Sequence, residues 1–548
     1  MVRLTNAVAA LASVAVPGGR ANGDGSVPYN VLFVAVDDLR PTLGAYGDPI
    51  AHTPHLDQLI GRGLRFENLH SNKPECAPSR ISMLTGKRPD AIGMLGFSEQ
   101  YRAKNGDLPT IPQYLRNKYG YRSEVAGKLV DGRNFKDDVD KCSSASETAC
   151  SFDEVVQPND YLDNSLKLCN ASAGMRWPGG QISDNDKFAH LLFEFDDKYT
   201  QEHVDFCISV DAQQRLRRLA QSSQPFFLGV GFAKPHMPWI APKAFYDIYR
   251  KIPDHMLEPP PDLWEEDSKD EPLRDYFTDR SPFIPLDNGE LENYSDYADY
   301  SVADRNRGYY ASATFVDYQI GSLIHVLDTE IDPAVRDRTM IILWGDHGFH
   351  LGGLNLWGKK SILEHATRVP AAVIPPRDWL TNNPTAQANI EKGDLNTVAP
   401  ADSVDFFPTI IELINGTLPT DVLAGTSLVP LFNDPASYVR TASVSQYENY
   451  GTNGMAYSIR TRNHRFIARF SGNSPFSGSK KPEYAELFRY SHPGNFELKN
   501  RIDDPDFAQA KAAFLDIIDG IQDKDWTHLY TKHVPPFDLD DNDSQPAV

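Results

Sequence analysis

Short apolar runs that end abruptly in charge punctuate this chain. Asn30 to Val36 is continuous, rich in β-branched residues, and stops at Asp37-Asp38. A run without polar alternation predicts a strand buried on both faces. Tyr121 to Gly127, Phe226 to Phe232, Met340 to Trp344 and Val369 to Ile374 read the same way. Helix signals lie between them. Thr53-Pro54 opens one helix, with Thr53 as N-cap and Pro54 at the first position, and Gly61 or Gly63 ends it. A second begins around Pro78 and runs toward Gly86, and a third spans about Thr110 to Gly120.

Strands alternating with helices over roughly 400 residues predict a mainly parallel sheet covered on both faces. Such sheets bind ligands outside the carboxyl ends of their strands. Polar clusters stand at these ends: Asp37-Asp38, Gly127-Lys128, Lys234-Pro235-His236 and Gly345-Asp346-His347. Residues far apart in sequence are therefore expected on one rim. The pattern lapses twice. Pro253 to Arg307 is rich in Pro, Asp, Glu and Tyr without periodicity and reads as a long surface insertion. After about Leu431 the alternation stops. Tyr457 to Phe470 and Glu483 to Phe496 then predict short antiparallel strands, Asp504 to Ile521 a closing helix, and the acidic end a frayed tail.

Composition narrows the class. The 548 residues are 41% hydrophobic and 24% charged, a globular balance long enough for two to four domains, or for one large α/β domain with an appendage. The formal net charge of −21 argues against nonspecific nucleic-acid or acidic-membrane binding. An anionic substrate would need a locally basic site within that field. Arg3 followed by a small, apolar stretch from Leu4 to Val16, then Pro17, two glycines and Ala21, predicts a signal peptide over residues 1–21. No other run approaches the ~20 apolar residues of a membrane span. Asn-x-Ser/Thr sequons at Asn170, Asn293, Asn415 and Asn542 fit a secretory route. Of the five cysteines, Cys142, Cys150, Cys169 and Cys207 fall in one loop-like stretch, an even number suited to two disulfides in an oxidising compartment. Three pairings are possible; Cys142 with Cys150 and Cys169 with Cys207 is the one expected here. No pair has zinc-ribbon spacing.

The remaining cysteine carries the candidate chemistry. In Cys76-Ala77-Pro78-Ser79-Arg80, Cys76 stands just before a helix N-terminus, where the dipole and unpaired N–H groups favour an anion and lower a thiol pKa. Arg80, one turn in, can point back toward the same anion.

That pentapeptide, followed by Met83-Leu84-Thr85-Gly86, resembles the signature of sulfatases, in which the cysteine is oxidised to formylglycine during secretion. The run from Asn30 to Pro41, Gly231-Phe232-Ala233-Lys234-Pro235-His236-Met237-Pro238, and Trp344-Gly345-Asp346-His347-Gly348 are similar to segments of sulfatases related to iduronate-2-sulfatase. The order is the same, over about residues 28 to 433. The resemblance implies an alkaline-phosphatase-like α/β fold, with a catalytic domain over residues 28–433 and a smaller α+β subdomain with its tail over residues 434–548. It implies one divalent cation, calcium in the family, on Asp37, Asp38, Asp346, His347 and the formylglycine at Cys76; three carboxylates suit a hard ion, and His347 suits it less. It implies that Arg80 anchors the hydrated aldehyde, that Lys128 and Lys359 hold sulfate oxygens, and that His236 is the general acid for the leaving alcohol. One hydroxyl of the hydrated aldehyde attacks sulfur and the other later expels sulfate, which divides a hard hydrolysis into two steps. The implied partners are a sulfated sugar or polysaccharide and a formylglycine-generating enzyme, and the implied destination is the secretory pathway, either outside the cell or in a lysosome- or vacuole-like compartment.

One position departs from the family. Where the family places a histidine after Gly-Lys, Gly127-Lys128-Leu129-Val130 is followed by Asp131. An aspartate there either acts as a base or pairs with Arg133 and points away. Two competing readings follow: a phosphonate or phosphodiester hydrolase of the same superfamily, or a non-catalytic binder of sulfated glycans.

Overall fold

The computed structural model describes residues 29–522, apart from 143–149, 164–191, 260–283, 286–290, 293–299, 420–422, 450–453, 471–480, 491–496 and 498. The expected signal peptide, Asn170, Asn293, Asn542, Cys169, most of the 253–307 insertion and the acidic tail lie outside the described residues.

Eight strands form the central sheet: β1 (Asn30–Val36), β2 (Leu64–Phe66), β3 (Arg122–Gly127), β4 (Glu154–Val156), β5 (Phe226–Phe232), β6 (Thr339–Gly345), β7 (Ala371–Ile374) and β8 (Asn396–Thr397). Their spatial order is β8-β2-β7-β6-β1-β5-β3-β4. The central run β6-β1-β5-β3-β4 is parallel throughout, while β7 is antiparallel to both β6 and β2. All seven residues of β1, β5 and β6 are buried, as their unbroken apolar sequences require. Alternate side chains of β1 feed opposite cores: Val31, Phe33 and Ala35 one, Leu32, Val34 and Val36 the other. Helices α2 (Cys76–Thr85), α3 (Ile111–Tyr119) and α6 (Phe406–Leu413) cover the first face; α1 (Pro54–Ile60), α4 (Val204–Leu219) and α5 (Val302–Thr329) cover the second. Each fully buried Leu, Ile, Val or Phe contributes about 1.5–3 kcal/mol.

The expected helix signals act as read. Thr110 caps α3 through the Gln113 N–H, and Gly120 closes it in the left-handed region. Pro54 starts α1 and Gly61 ends it, although Thr53 binds Asp57 and the Gly44 N–H rather than capping the helix.

One expectation needs correction. The 253–307 stretch was expected to be surface insertion to its end, yet α5 begins at Val302 behind a Ser301–Asp304 capping box and runs 28 residues through the core. Its first turns hide the apolar stripe because they bury polar groups: Arg305 lies over the Trp357 ring, and Asn306 donates to Leu257 O and Leu351 O. The antiparallel strands expected over Tyr457 to Phe470 form a hairpin. Thr461 N–H donates to His464 O and His464 N–H to Thr461 Oγ1, which turns the chain between β10 (Gly454–Arg460) and β11 (His464–Phe470). With β9 (Ser443–Asn449) and β12 (Tyr484–Arg489) these form a four-stranded antiparallel sheet in the order β9-β10-β11-β12. Helix α7 (Ala508–Gln522) packs Phe514 and Ile518 against it.

Candidate active site

Register places the site. Val36 pairs with Gly345 on one side and Phe232 on the other, and Gly127 pairs with Gly231. Asp37-Asp38, Asp346-His347, Lys234 to His236 and Lys128 therefore leave the sheet together at the carboxyl edge of four parallel strands. The backbones approach closely there. A Cβ on Gly231 would lie 1.9 Å from the carbonyl carbon of Lys128, and one on Gly127 would lie 2.2 Å from Gly231 O. Gly127 also has φ +78°, a conformation open chiefly to glycine.

Cys76 is the first residue of α2, behind Glu75 at the N-cap, and is fully buried. Its Sγ lies 3.4 Å from His347 Nε2 and 3.3 Å from Lys359 Nζ. One ligand atom each from Asp37, Cys76, Asp346 and His347 falls within 4.8 Å of the others, and so does the set Asp37, Asp38, Cys76 and His236. The six candidate ligand or acid residues thus converge. The cations join them. Arg80 Nη2 lies 3.1 Å from Asp37 Oδ1 and 2.9 Å from Asp346 Oδ2, and its Nη1 donates to Lys128 O. Lys128 Nζ lies 2.6 Å from Asp37 Oδ2, and Lys359 Nζ lies 2.7 Å from Asp38 Oδ1. Asp346 Oδ1 accepts the N–H groups of Asp38 and His347 at 3.0 and 2.9 Å.

The donor set fits a hard cation. Asp38 Oδ2 is buried and takes no hydrogen bond, a costly state for a carboxylate oxygen that an ion would relieve. Asp38 itself sits at φ +59°, uncommon for a residue with a Cβ, and its carbonyl accepts from Tyr309 Oη at 2.8 Å.

Electrostatics correct one expectation. Burial pushes the Cys76 thiol well up, Asp37 adds to it, and Lys128 and Lys359 offset only part. The helix N-terminus does not win against a dry, carboxylate-lined surrounding. Burial also opposes ionisation of Asp37, but Lys128 and Arg80 hold its carboxyl well below the usual range. Burial works against the charge on Lys128 as well, yet Asp37 raises it above an ordinary lysine, so the ammonium persists. His236 Nδ1 lies 2.6 Å from Met237 O, which leaves Nε2 as the nitrogen suited to deliver a proton.

Asp131 is buried and bound to Arg133, the second of the two alternatives open from the sequence. Asp205, a supporting group, carries no signal in the sequence, whereas Lys234 belongs to a polar cluster already identified there. Asp205 on α4 accepts the N–H groups of Ala233 and Lys234 at 2.6 and 3.1 Å, and burial lifts its carboxyl to about 6. Lys234 donates to His236 O and Pro238 O at 2.9 and 2.6 Å, and burial lowers its ammonium to about 8. Nothing in the pattern of α4 distinguishes Asp205 from a solvated helix residue.

Outside the site, Cys150 and Cys207 each stand in a disulfide, whereas Cys76 is a free thiol. The partners of that pairing fall outside the described side chains. Asn415 is exposed just beyond α6, at φ +55°. Among the described residues no helix is long and apolar enough to cross a membrane.

Comparison with known proteins extends these observations. Human iduronate 2-sulfatase is 32% identical over 363 residues, covering 63% of this chain and 60% of that protein, so the match spans less than two-thirds of the relative's length. A sulfatase of Formosa agariphila is 26% identical over 499 residues, covering 86% of this chain and 85% of the relative. Among solved structures, the phosphonate monoester hydrolase of Agrobacterium radiobacter superposes with TM-score 0.66 over 91% of this chain and 96% of its own. At 17% identity that likeness is one of fold, and it bears out the alkaline-phosphatase-like α/β architecture with an antiparallel C-terminal subdomain. The Sulfatase family profile matches residues 29–417, well over half the sequence, and the chain belongs to the sulfatase family.

Proposed function

We propose that this protein hydrolyses sulfate esters on a sulfated sugar, with Cys76, oxidised to formylglycine, as its nucleophile. The observation that carries the reading is the surrounding of Cys76 Sγ: Lys359 Nζ at 3.3 Å and His347 Nε2 at 3.4 Å, beside three buried aspartates. Formylglycine, when present, supplies the paired hydroxyls that attack sulfur and later release sulfate. Asp37, Asp38, Asp346 and His347 would hold a calcium ion, which supplies charge to the sulfate oxygens.

The chain's own residues do the rest. Lys128 and Lys359 approach from opposite carboxylates and present two ammonium groups to a tetrahedral anion. Arg80, with its fork divided between Asp37 and Asp346, fixes the start of α2 and the nucleophile on it. His236 delivers a proton to the leaving alcohol through Nε2. The sugar assignment draws support from the relatives, whose names include iduronate 2-sulfatase, an ulvan-active sulfatase and an N-acetylglucosamine-6-O-sulfatase. Iduronate 2-sulfate is the specific candidate. We place the protein in the secretory route, where a formylglycine-generating enzyme would act on it, with residues 28–433 as the catalytic unit, 434–548 as the appendage, and glycans at the sequons.

Mass spectrometry of the peptide spanning Cys76, on protein from a host competent for the modification, tests the nucleophile. The aldehyde is expected; an unmodified thiol there removes the mechanism. Sulfate release from a panel of sulfated sugars, beside matched aryl sulfate and phosphonate monoester substrates, tests the rest. A large preference for the phosphorus ester overturns the sulfatase reading in favour of the chemistry named for the Agrobacterium neighbour.

A further inference from the structure

The C-terminal sheet grips the catalytic centre at two places. Its edge strand β9 binds Ser71 to Lys73, in the stretch that leads to Cys76. Gln446 N–H donates to Asn72 O at 2.9 Å, Asn72 Nδ2 to Val444 O at 3.1 Å, Ser445 Oγ to Ser71 O at 2.6 Å, and Lys73 Nζ to both oxygens of Glu448 at 2.6 Å.

The second grip is on the segment after Lys359. Arg465 on β11 is fully buried. Its Nη1 donates at 2.7 Å to the carbonyl of Ile362, the third residue beyond Lys359. Its Nη2 binds Glu364 Oε2, and its Nε lies 3.0 Å from Tyr490 Oη and 3.2 Å from Glu497 Oε1. Glu497 in turn accepts the Glu364 N–H at 2.7 Å. Ile362 and Leu363 also share an apolar cluster with Ile467, Phe488 and Tyr490 of the sheet side. Lys359, at the head of this segment, reaches both Cys76 Sγ and Asp38.

A buried ion network adds little net stability over a well-packed apolar core. What the guanidinium adds is direction, because its planar fork fixes each acceptor along a set line. We propose that the C-terminal sheet sets the geometry of the catalytic centre, with Arg465 the positioning residue for Lys359. Arg465 touches no reacting atom; it holds the backbone that delivers the ammonium. The inference rests on the role given to Lys359 above.

A double-mutant cycle decides it. Arg465→Lys keeps the charge and loses the fork. Lys359→Ala removes the group through which Arg465 acts. Sulfate-ester hydrolysis is measured per formylglycine-containing site, with thermal unfolding as the control for folding. Arg465→Lys is expected to lower kcat about tenfold or more, since small misplacements of catalytic groups are costly, and to change KM less than about threefold. In the Lys359→Ala background it is expected to have no further effect. If Lys359→Ala is impaired and Arg465→Lys multiplies that impairment by its full single-mutant factor, Arg465 acts independently of Lys359 and the inference falls while the function stands. If Lys359→Ala is fully active, the role of Lys359 falls, and the inference with it. Where Arg465→Lys does not fold, Glu497→Gln takes its place in the cycle; it keeps the oxygen that accepts from Glu364, removes the charge beside Arg465, and is judged by the same rule.

Discussion

Asp131 holds Arg133 in a two-point ion pair, with Oδ1 2.9 Å from Nε and Oδ2 2.8 Å from Nη2. The Arg133 N–H also donates to Oδ1 at 3.1 Å, and the guanidinium lies 3.7 Å from the centroid of the Phe97 ring. Burial would raise the Asp131 carboxyl, but the bonds from Arg133 and the charge of Lys128 hold it below its ordinary value. A carboxylate fixed on both oxygens is a weak base, so turnover is expected not to depend on its taking a proton. Asp131→Asn is expected to change kcat less than about threefold, against the roughly 10²-fold or greater loss that removal of a general base causes. A variant that releases one burst of alcohol and then stalls would mark Asp131 as the base of the second step.

His236 gives the complementary prediction. If His236 is the proposed proton donor, the loss on its replacement by Ala depends on how much the leaving oxygen needs a proton. About 10²-fold or more is expected for a sugar sulfate and much less for a nitrophenyl sulfate, whose leaving group departs as a stable anion. Equal losses on both substrates in steady-state assays would assign His236 to binding.

The unsatisfied Asp38 oxygen predicts a stability response to metal. An ion that binds the folded state alone stabilises it by about 2.7 kcal/mol when free ion is about 100 times Kd. A chelator should lower the thermal midpoint, calcium should restore it, and Asp38→Asn should abolish the response. A wild-type midpoint that ignores the chelator contradicts the assignment.

Gly231→Ala tests how closely the strand ends must approach. The added methyl would meet the Lys128 carbonyl carbon at 1.9 Å and the Leu129 nitrogen at 2.3 Å, both backbone atoms. A destabilisation of about 3 kcal/mol is expected, with Lys128 displaced and activity lost in the folded fraction. Denaturant unfolding measures the first; a variant as stable as the wild type would show that the two loops separate freely.

Asp317 carries a pH signature away from the site. Its carboxylate accepts the N–H groups of His55 and Leu56, at 3.3 and 2.6 Å, at the start of α1, and burial raises it to about 7. A carboxyl whose folded pKa lies above its unfolded value of about 3.9 favours the fold below that value, and the advantage disappears as pH rises toward 7. The wild type should therefore lose stability relative to Asp317→Asn between about pH 4 and 7 and hold a constant difference above. Thermal midpoints measured in parallel check this; a difference independent of pH rejects it.

Much of this molecule is legible in the chain itself. Unbroken apolar runs dictate buried parallel strands, and charge directly after them dictates which residues crowd the sheet edge, so Asp37, Lys128, His236 and Asp346 were identifiable one by one. Local sequence could not reveal what depends on packing from a distance. The thiol of Cys76 follows its dry, carboxylate-lined surroundings rather than the helix end on which it sits. Arg305 and Asn306 look solvated in the sequence and are buried because Trp357, Leu257 and Leu351 come from elsewhere to meet them. Asp131 had two possible roles until tertiary structure fixed its partner. Period and punctuation are local properties of a chain, whereas desolvation and ion pairing are sums over neighbours that only the folded structure assembles.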